Sequence, residues 1–331
     1  MSEDIFGIGN EAQFTARAIE TFRYQYKNCQ IYRKFCELSE IDADAVENID
    51  DLPFLPIRFF KQYDIISSAC SSVNAQKIFY SSSTTGMTPS RHCVLDISLY
   101  EKSFLEGFRQ FYGDPEDYVI LALLPSYLER EGSSLVYMTD RLIKESGKEE
   151  SGYYLYDYDK LYRMLQKLAA EHRKTILIGV AFALLDFGDK YHLRPEESEN
   201  LIVMETGGMK GRREELSREE LHRRLSQIFS KDKIHSEYGM CELLSQAYSS
   251  GDGIFFTPSW MKVIIKDVAN PLKSVSCDRK GIINIIDLAN INSCSFIETE
   301  DVGRNKKDGS FLIDGRLKGS ERRGCNMLIE I

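Results

Sequence analysis

Residues 79–92 read FYSSSTTGMTPSRH, a run of hydroxyl side chains closed by a glycine and set directly behind the apolar segment KIFY at Lys77–Tyr80. A loop of this kind leaving a strand can wrap anionic oxygens with hydroxyls and backbone N–H groups. It lacks the GxxxxGK[ST] order, so it is not a Walker loop. Outward from it, to about residue 249, short apolar runs alternate with helical stretches, which predicts an α/β fold with a largely parallel sheet covered by helices. The predicted strands are Lys77–Tyr80, 118–124, Thr175–Val180, 201–204 and 233–235, and the predicted helices are 99–112, 158–173, 181–190 and 213–230. Upstream, Phe14, Ala18, Phe22, Tyr26, Ile31 and Phe35 keep helical spacing and predict one or two helices within 11–38. The prolines of DLPFLPIRFFK (51–61) forbid a continuous helix there and predict an extended segment lying across the core. Beyond Gly251, strands at 261–265, Gly281–Asp287, 295–299 and 310–314 predict a smaller β-rich subdomain. With no repeat or long linker, residues 1–331 read as one unit: an N-terminal helical and extended segment (1–75), an α/β core (76–250) and the β-rich part (251–331).

Composition narrows the partners. The formal net charge of −9 argues against nucleic acid or an anionic membrane surface, since both need a positive face. The longest strongly apolar stretch, YVILALLP at 118–125, is too short to span a bilayer, and MSEDIFGIGN is no signal pattern, so a cytoplasmic protein is expected. Eight cysteines without a CxxC pair fit reduced thiols. The five histidines form no metal cluster, and His172, His192 and His222 read as surface residues.

Further motifs follow the hydroxyl loop. In HSEYGMCE (235–242), Tyr238 can stack on a purine and Glu242 can hold Mg²⁺ on phosphates. In ETGGMKGRR (205–213), the paired glycines let a flat ligand approach the backbone, and Lys210, Arg212 and Arg213 concentrate positive charge. ETEDVGR (298–304) supplies a carboxylate suited to ribose hydroxyls, and DGR (314–316) supplies a cation. Each also reads as an ordinary turn; what is improbable by chance is their order.

That ordered set resembles the adenylate-forming superfamily of acyl-CoA synthetases and adenylation domains, and within it the LuxE-type acyl-protein synthetases, related to phenylacetate–CoA ligases. The likeness is carried by DLPFLPIRFFK at 51–61, TTG…SRH at 84–92, METGGMKGRR at 204–213, YGMCELLSQAY at 238–248 and GR…RGCN at 315–326. It implies the large N-terminal domain of that superfamily, with the C-terminal lid domain and its lysine expected to be absent because the sequence stops at Ile331. The implied reaction activates a carboxylic acid, fatty by resemblance, with ATP and Mg²⁺ to acyl-AMP. Transfer to a protein thiol would follow, with a reductase or carrier protein as acceptor. The alternatives are transfer to CoA or a carrier, or a non-catalytic nucleotide-binding relative.

The resemblance implies that Ser81, Ser82, Thr84, Thr85 and Gly86 grip phosphates, Gly207, Gly208 and Tyr238 bracket adenine, and Glu242 ligates Mg²⁺. It further implies that Asp301 binds ribose and Arg316 lies near ribose and the α-phosphate. Departures are Ser83 in place of glycine, Cys241 in place of threonine and Lys318 in place of an acidic residue. Without a lid lysine, Lys210, Arg91 or Lys318 must supply the positive charge, with Lys210 the first choice. Cys325, following Arg322, Arg323 and Gly324, is the candidate acylated thiol, because neighbouring cations favour thiolate. Phe182, Leu184 and Leu185 are the candidate acyl pocket, although such residues more often pack a core.

Overall fold

The computed structural model describes residues 5–68, 74–82, 88–125, 131–207, 216–270 and 273–317. The chain opens with helices α1 (Glu11–Asn28) and α2 (Gln30–Leu38), then strand β1 (Leu55–Pro56), the short helix α3 (Phe59–Gln62) and a ribbon of β2 (Lys77–Tyr80) and β3 (Arg91–Val94). The α/β section follows: α4 (Ile97–Tyr112), β4 (Val119–Leu123), α5 (Ser134–Ser146), β5 (Gly152–Tyr153), α6 (Tyr158–Ala170) and β6 (Thr175–Val180). It continues through α7 (Ala181–Gly188), α8 (Pro195–Ser198), β7 (Leu201–Thr206), α9 (Arg218–Phe229), β8 (His235–Tyr238) and β9 (Ala247–Ser249). The chain then enters β10 (Ile254–Phe255), β11 (Met261–Lys266), β12 (Gly281–Asp287), β13 (Phe296–Asn305) and β14 (Phe311–Arg316).

The first large sheet has the order β5-β4-β6-β7-β8-β9, parallel except for the last pair. Its central strands are buried along their whole length, which is why β4 and β6 read as unbroken apolar runs. Phe108 of α4 and Met138 and Leu142 of α5 meet Ile120, Ile176, Ile178 and Met204 on one face. On the other, α7 packs on β6, β7 and α9. Helix starts are set locally: Asn10, Asp96, Ser133 and Ser217 each accept a hydrogen bond from a first-turn backbone N–H of α1, α4, α5 and α9.

The second sheet has the order β10-β14-β13-β12-β11 and is antiparallel, with β1 added in parallel to β13. β13 changes partner along its ten residues: β1 pairs with Ile297 and Glu298, whereas β14 pairs from Asp301 to Asn305. The N-terminal segment is therefore built into this sheet. Gln25 of α1 donates to the carbonyls of Asn290 and Ile291 at 3.0 and 2.9 Å and accepts from the Ser295 amide at 2.9 Å. Tyr32 of α2 stacks on Phe296.

Several expectations shift. Residues 51–61 begin extended and pair as β1, but Phe59–Gln62 closes a helical turn. The strand placed at 233–235 begins at His235 and carries Tyr238 inside it, because its residues are buried polar ones that apolar patterning passes over. The 295–299 strand extends to Asn305. Helix α5 was not expected at all. No helix among the described residues is long and apolar enough to cross a membrane.

Candidate functional site

The parallel strands deliver three candidate segments to one edge of the first sheet. Thr206, the last residue of β7, pairs with Val180 at the end of β6 and with Glu237 in β8, so the three carboxyl ends lie level. Ligands of open α/β sheets bind outside such ends. Gly207 leaves β7 with φ +70°, a left-handed conformation that glycine adopts without strain. Gly208 and Lys210 lie outside the described residues.

Tyr238 ends β8, and here the two sheets meet. Its hydroxyl donates to Asp301 Oδ2 of β13 at 2.7 Å. Asp301 sits opposite Arg316 in the β13–β14 register, with Arg316 Nε 3.8 Å from Asp301 Oδ1 and Arg316 Nη2 donating to Glu300 at 3.0 Å. All three candidates are thus joined, and each is at most 3% exposed. The buried Tyr238 ring makes edge-to-face contacts with Phe255 and Phe311. Arg316 keeps two buried donor nitrogens, Nε and Nη1, that make no hydrogen bond among the described residues. Buried guanidinium donors left without acceptors are costly unless a ligand supplies oxygens.

The hydroxyl loop connects β2 to β3. Its neck is closed by Ser81 and Ser90: the Ser90 amide donates to the Ser81 hydroxyl at 2.8 Å, and the Ser81 amide to the Ser90 carbonyl at 3.1 Å. Ser82 is half-buried beside it. Ser83, Thr84, Thr85 and Gly86 lie outside the described residues. Arg91, at the exit of the loop, is held by Asp64 at 2.6 Å with both side chains about half exposed. The next residue, His92, reaches the Tyr238–Glu242 turn: its Nδ1 lies 2.8 Å from the Cys241 carbonyl and its Nε2 3.0 Å from Asn290 Oδ1. Glu242 is fully buried, and its backbone carbonyl accepts from Asn290 Nδ2 at 2.8 Å.

Phe182, Leu184 and Leu185 sit in α7, directly after β6, and all are buried. Leu184 lies against Gly179, where an added Cβ would stand 3.0 Å from its Cγ. Lys318 and Cys325 lie outside the described residues.

Two buried acids were not anticipated. Burial pushes the Glu237 carboxyl up to about 7, with the nearby Glu205 charge adding to the rise and the hydrogen bond from the Thr206 hydroxyl opposing it. Burial also works to raise Glu205, but His222 and Arg218 more than offset it and leave that carboxyl below its ordinary range. His222 is thus not the surface residue that its charged helix implied: its side chain is 13% exposed, with Nε2 3.3 Å from Glu205 and 3.2 Å from the Ser236 hydroxyl. The signal that could have found it is the helical register of α9, which puts His222 four positions after Arg218 on the face turned to β7 and β8.

Known proteins resemble the chain in part and in whole. Residues 8–100 match the family model described as "Acyl-protein synthetase, LuxE". The long-chain-fatty-acid–luciferin-component ligase of Photorhabdus luminescens is 35% identical over 69 residues, 21% of this chain and 57% of that protein. The ligase of the same name from Vibrio harveyi is 21% identical over 348 aligned positions, covering 97% of this chain and 88% of that one. Among solved structures, 2-hydroxyisobutyryl-CoA ligase in complex with 2-HIB-AMP and CoA superposes with a TM-score of 0.66 at 14% identity, over 95% of this chain and 70% of that chain. ATP-bound MatB from Rhodopseudomonas palustris superposes with a TM-score of 0.54 at 17% identity, over 76% of this chain and 50% of that chain. The chain thus spans about half the length of MatB and a little over half of the Photorhabdus ligase. The chain is thus similar to the LuxE-type acyl-protein synthetases over residues 8–100, and it shares the fold of 2-hydroxyisobutyryl-CoA ligase and MatB.

Proposed function

We propose that the chain uses ATP to activate a long-chain fatty acid as an acyl adenylate and passes the acyl group to a protein thiol. The observation that carries this reading is the joined cluster of Tyr238, Asp301 and Arg316, with two buried guanidinium nitrogens that make no hydrogen bond among the described residues. Asp301 then accepts from ribose hydroxyls, and Arg316 donates to ribose and α-phosphate oxygens. Tyr238, ring-packed and bonded to Asp301, aims that carboxylate and closes the adenine side together with Gly207 and Gly208. Ser81, Ser82, Thr84, Thr85 and Gly86 cradle the leaving phosphates.

In the first step a carboxylate oxygen bonds to the α-phosphorus while the bond to the β-phosphate oxygen breaks, and pyrophosphate leaves. Positioning and charge neutralisation do the catalytic work in such a displacement. Among the described residues no group of three or more His, Cys, Asp or Glu side chains could hold a metal unaided. A lone carboxylate such as Glu242 suits Mg²⁺, which binds through one or two carboxylates plus phosphates and water and would supply charge neutralisation. Lys210 is the proposed cation on the protein side, with Arg91 and Lys318 as substitutes. In the second step a thiolate sulfur bonds to the acyl carbon, AMP leaves and the thiol proton goes to solvent. Cys325 is the proposed thiol, and a reductase or carrier protein, or CoA, the final acceptor. Phe182, Leu184 and Leu185 are the proposed acyl lining.

ATP–pyrophosphate exchange against short, long and aromatic acids tests the reading. Exchange selective for long chains supports it, and a hydroxylamine-sensitive acyl label that disappears in Cys325→Ser extends it to the second step. Exchange with no acid, from protein that binds ATP, overturns it in favour of a nucleotide-binding protein without ligase activity.

A further inference from the structure

His92 is 1% exposed, edge-on to the Phe60 ring, and both of its ring nitrogens face oxygens. The first oxygen is the Cys241 carbonyl, which only accepts. The second belongs to Asn290, whose amide orientation the neighbourhood decides. Asn290 Nδ2 lies 2.8 Å from the Glu242 carbonyl and 2.9 Å from the Cys294 carbonyl, and both can only accept. The NH₂ end must therefore point at these two carbonyls, and Oδ1 is left facing His92 as a third acceptor. So Nε2 of His92 donates to Asn290, and Nδ1 meets Cys241 at a distance that is favourable only with a proton between them. A neutral ring satisfies one of these acceptors; the doubly protonated ring satisfies both. Burial outweighs the upward pull of the Cys241 carbonyl, the Glu242 charge and Asn290 and leaves the imidazole pKa below its ordinary value.

The bonds made here join pieces far apart in the sequence. β3, the exit strand of the hydroxyl loop, supplies His92; the turn after Tyr238 supplies Cys241 and Glu242; the corner after β12 supplies Asn290, whose own carbonyl accepts from Gln25 of α1. We propose that His92 is a positioning residue that, with Asn290, locks the Cys241–Glu242 turn from both sides and so fixes where Glu242 stands relative to β3 and the 290–295 corner. The inference deepens the ligase reading, because it concerns the turn that carries Glu242, but its geometry does not depend on which acid is activated.

The test combines His92→Gln, which retains one amide donor, with His92→Phe and Asn290→Ala, and reads two quantities. The first is amide hydrogen exchange of the peptide spanning 240–246 in the intact chain. Loss of one or two buried hydrogen bonds is expected to speed it about tenfold in His92→Phe and Asn290→Ala and less in His92→Gln, with α6 exchanging as in the wild type. The second is pyrophosphate exchange, where kcat is expected to fall about tenfold while the KM for ATP stays within about twofold, with partial rescue in His92→Gln. Unchanged protection of 240–246 in folded variants overturns the proposal, whether or not the wild type is active. So does equally faster exchange throughout the chain, which makes His92 a general packing residue. Absence of pyrophosphate exchange in the wild type refutes the ligase reading alone.

Discussion

At the scale of single residues, the site is held by polar groups that water does not reach. Removing the Tyr238 hydroxyl takes a buried donor from Asp301 and frees it to turn away from the ribose position proposed above, so Tyr238→Phe is expected to raise the KM for ATP about three- to tenfold and to destabilise the fold by about 1–3 kcal/mol. Pyrophosphate-exchange kinetics at varied ATP would show it; an unchanged KM would mean that Asp301 keeps its place without Tyr238. Glu237 gives a prediction in pH. Folded Glu237 keeps its proton up to about pH 7, whereas an unfolded glutamate loses it near 4.5. The folded state binds the extra proton between these values, so its stabilising contribution is complete below 4.5 and is lost as pH rises through 7. Glu237→Gln removes this term. Its stability relative to wild type is expected to improve between pH 5 and pH 8 by on the order of 3 kcal/mol, and parallel denaturation curves at the two pH values would refute it. Of the candidate site, residues with distinctive neighbours were singled out in the sequence, and the structure joins three of them, Tyr238, Asp301 and Arg316. No role of their own was read from the sequence for His92, Glu237 and Glu300, which lie inside the quoted motifs, or for Asn290, which lies outside them. Their importance lies in what they meet across the fold, and nothing within a few positions of them in the chain shows it.

At the scale of elements, the antiparallel sheet is threaded tightly where it carries the site. A Cβ at Gly303 would stand 2.3 Å from the Leu312 carbonyl oxygen, at the irregularity between Val302 and Gly303 that brings Asp301 opposite Arg316. Gly303→Ala must push β13 from β14 and is expected to cost about 1–3 kcal/mol and to raise the KM for ATP together. In the α/β section a Cβ at Gly188 would stand 2.2 Å from Ile228 Cδ1, jamming α7 against α9. There the intruded atoms all belong to one side chain, with Ile228 Cγ1 at 2.6 Å as well, so Gly188→Ala is expected to destabilise by about 1–3 kcal/mol and adding Ile228→Ala to cost less than the two single losses summed, as paired thermal melts would show. Elements that bury one kind of side chain were legible: β4, β6 and β12 as apolar runs, α6 and α9 by helical spacing. Helix α5 carries comparable marks, a Ser133 cap, buried Val136, Thr139 and Leu142, and Gly147 in the left-handed region, but its polar residues dilute them. The short strands β5, β9 and β10 owe their conformation to the neighbours they pair with, which no local pattern announces.

At the scale of the whole molecule, the first helix braces the last sheet. Gln25 is fully buried and answers two carbonyls and one amide of the 290–295 corner, so Gln25→Ala leaves two buried backbone groups and one part-buried carbonyl without this partner. A loss of about 2–4 kcal/mol is expected, since each orphaned group costs about 1–3 kcal/mol before partial relaxation. Chemical denaturation would show it as a lower midpoint of a single transition; a separate early transition would mean that the N-terminal segment unfolds on its own. The brace also has a consequence for synthesis. Gln25 and Asn290 are 265 positions apart, and β1 awaits a partner strand that is made later still. At roughly 5–20 residues per second, a ribosome needs on the order of 15–50 s to deliver that partner after Gln25 has been made. Through that interval the apolar faces of α1 and α2, with Phe22 and Tyr32, have nothing of their own to cover them, and the nascent chain depends on whatever in the cell shields such surfaces until its final strands emerge.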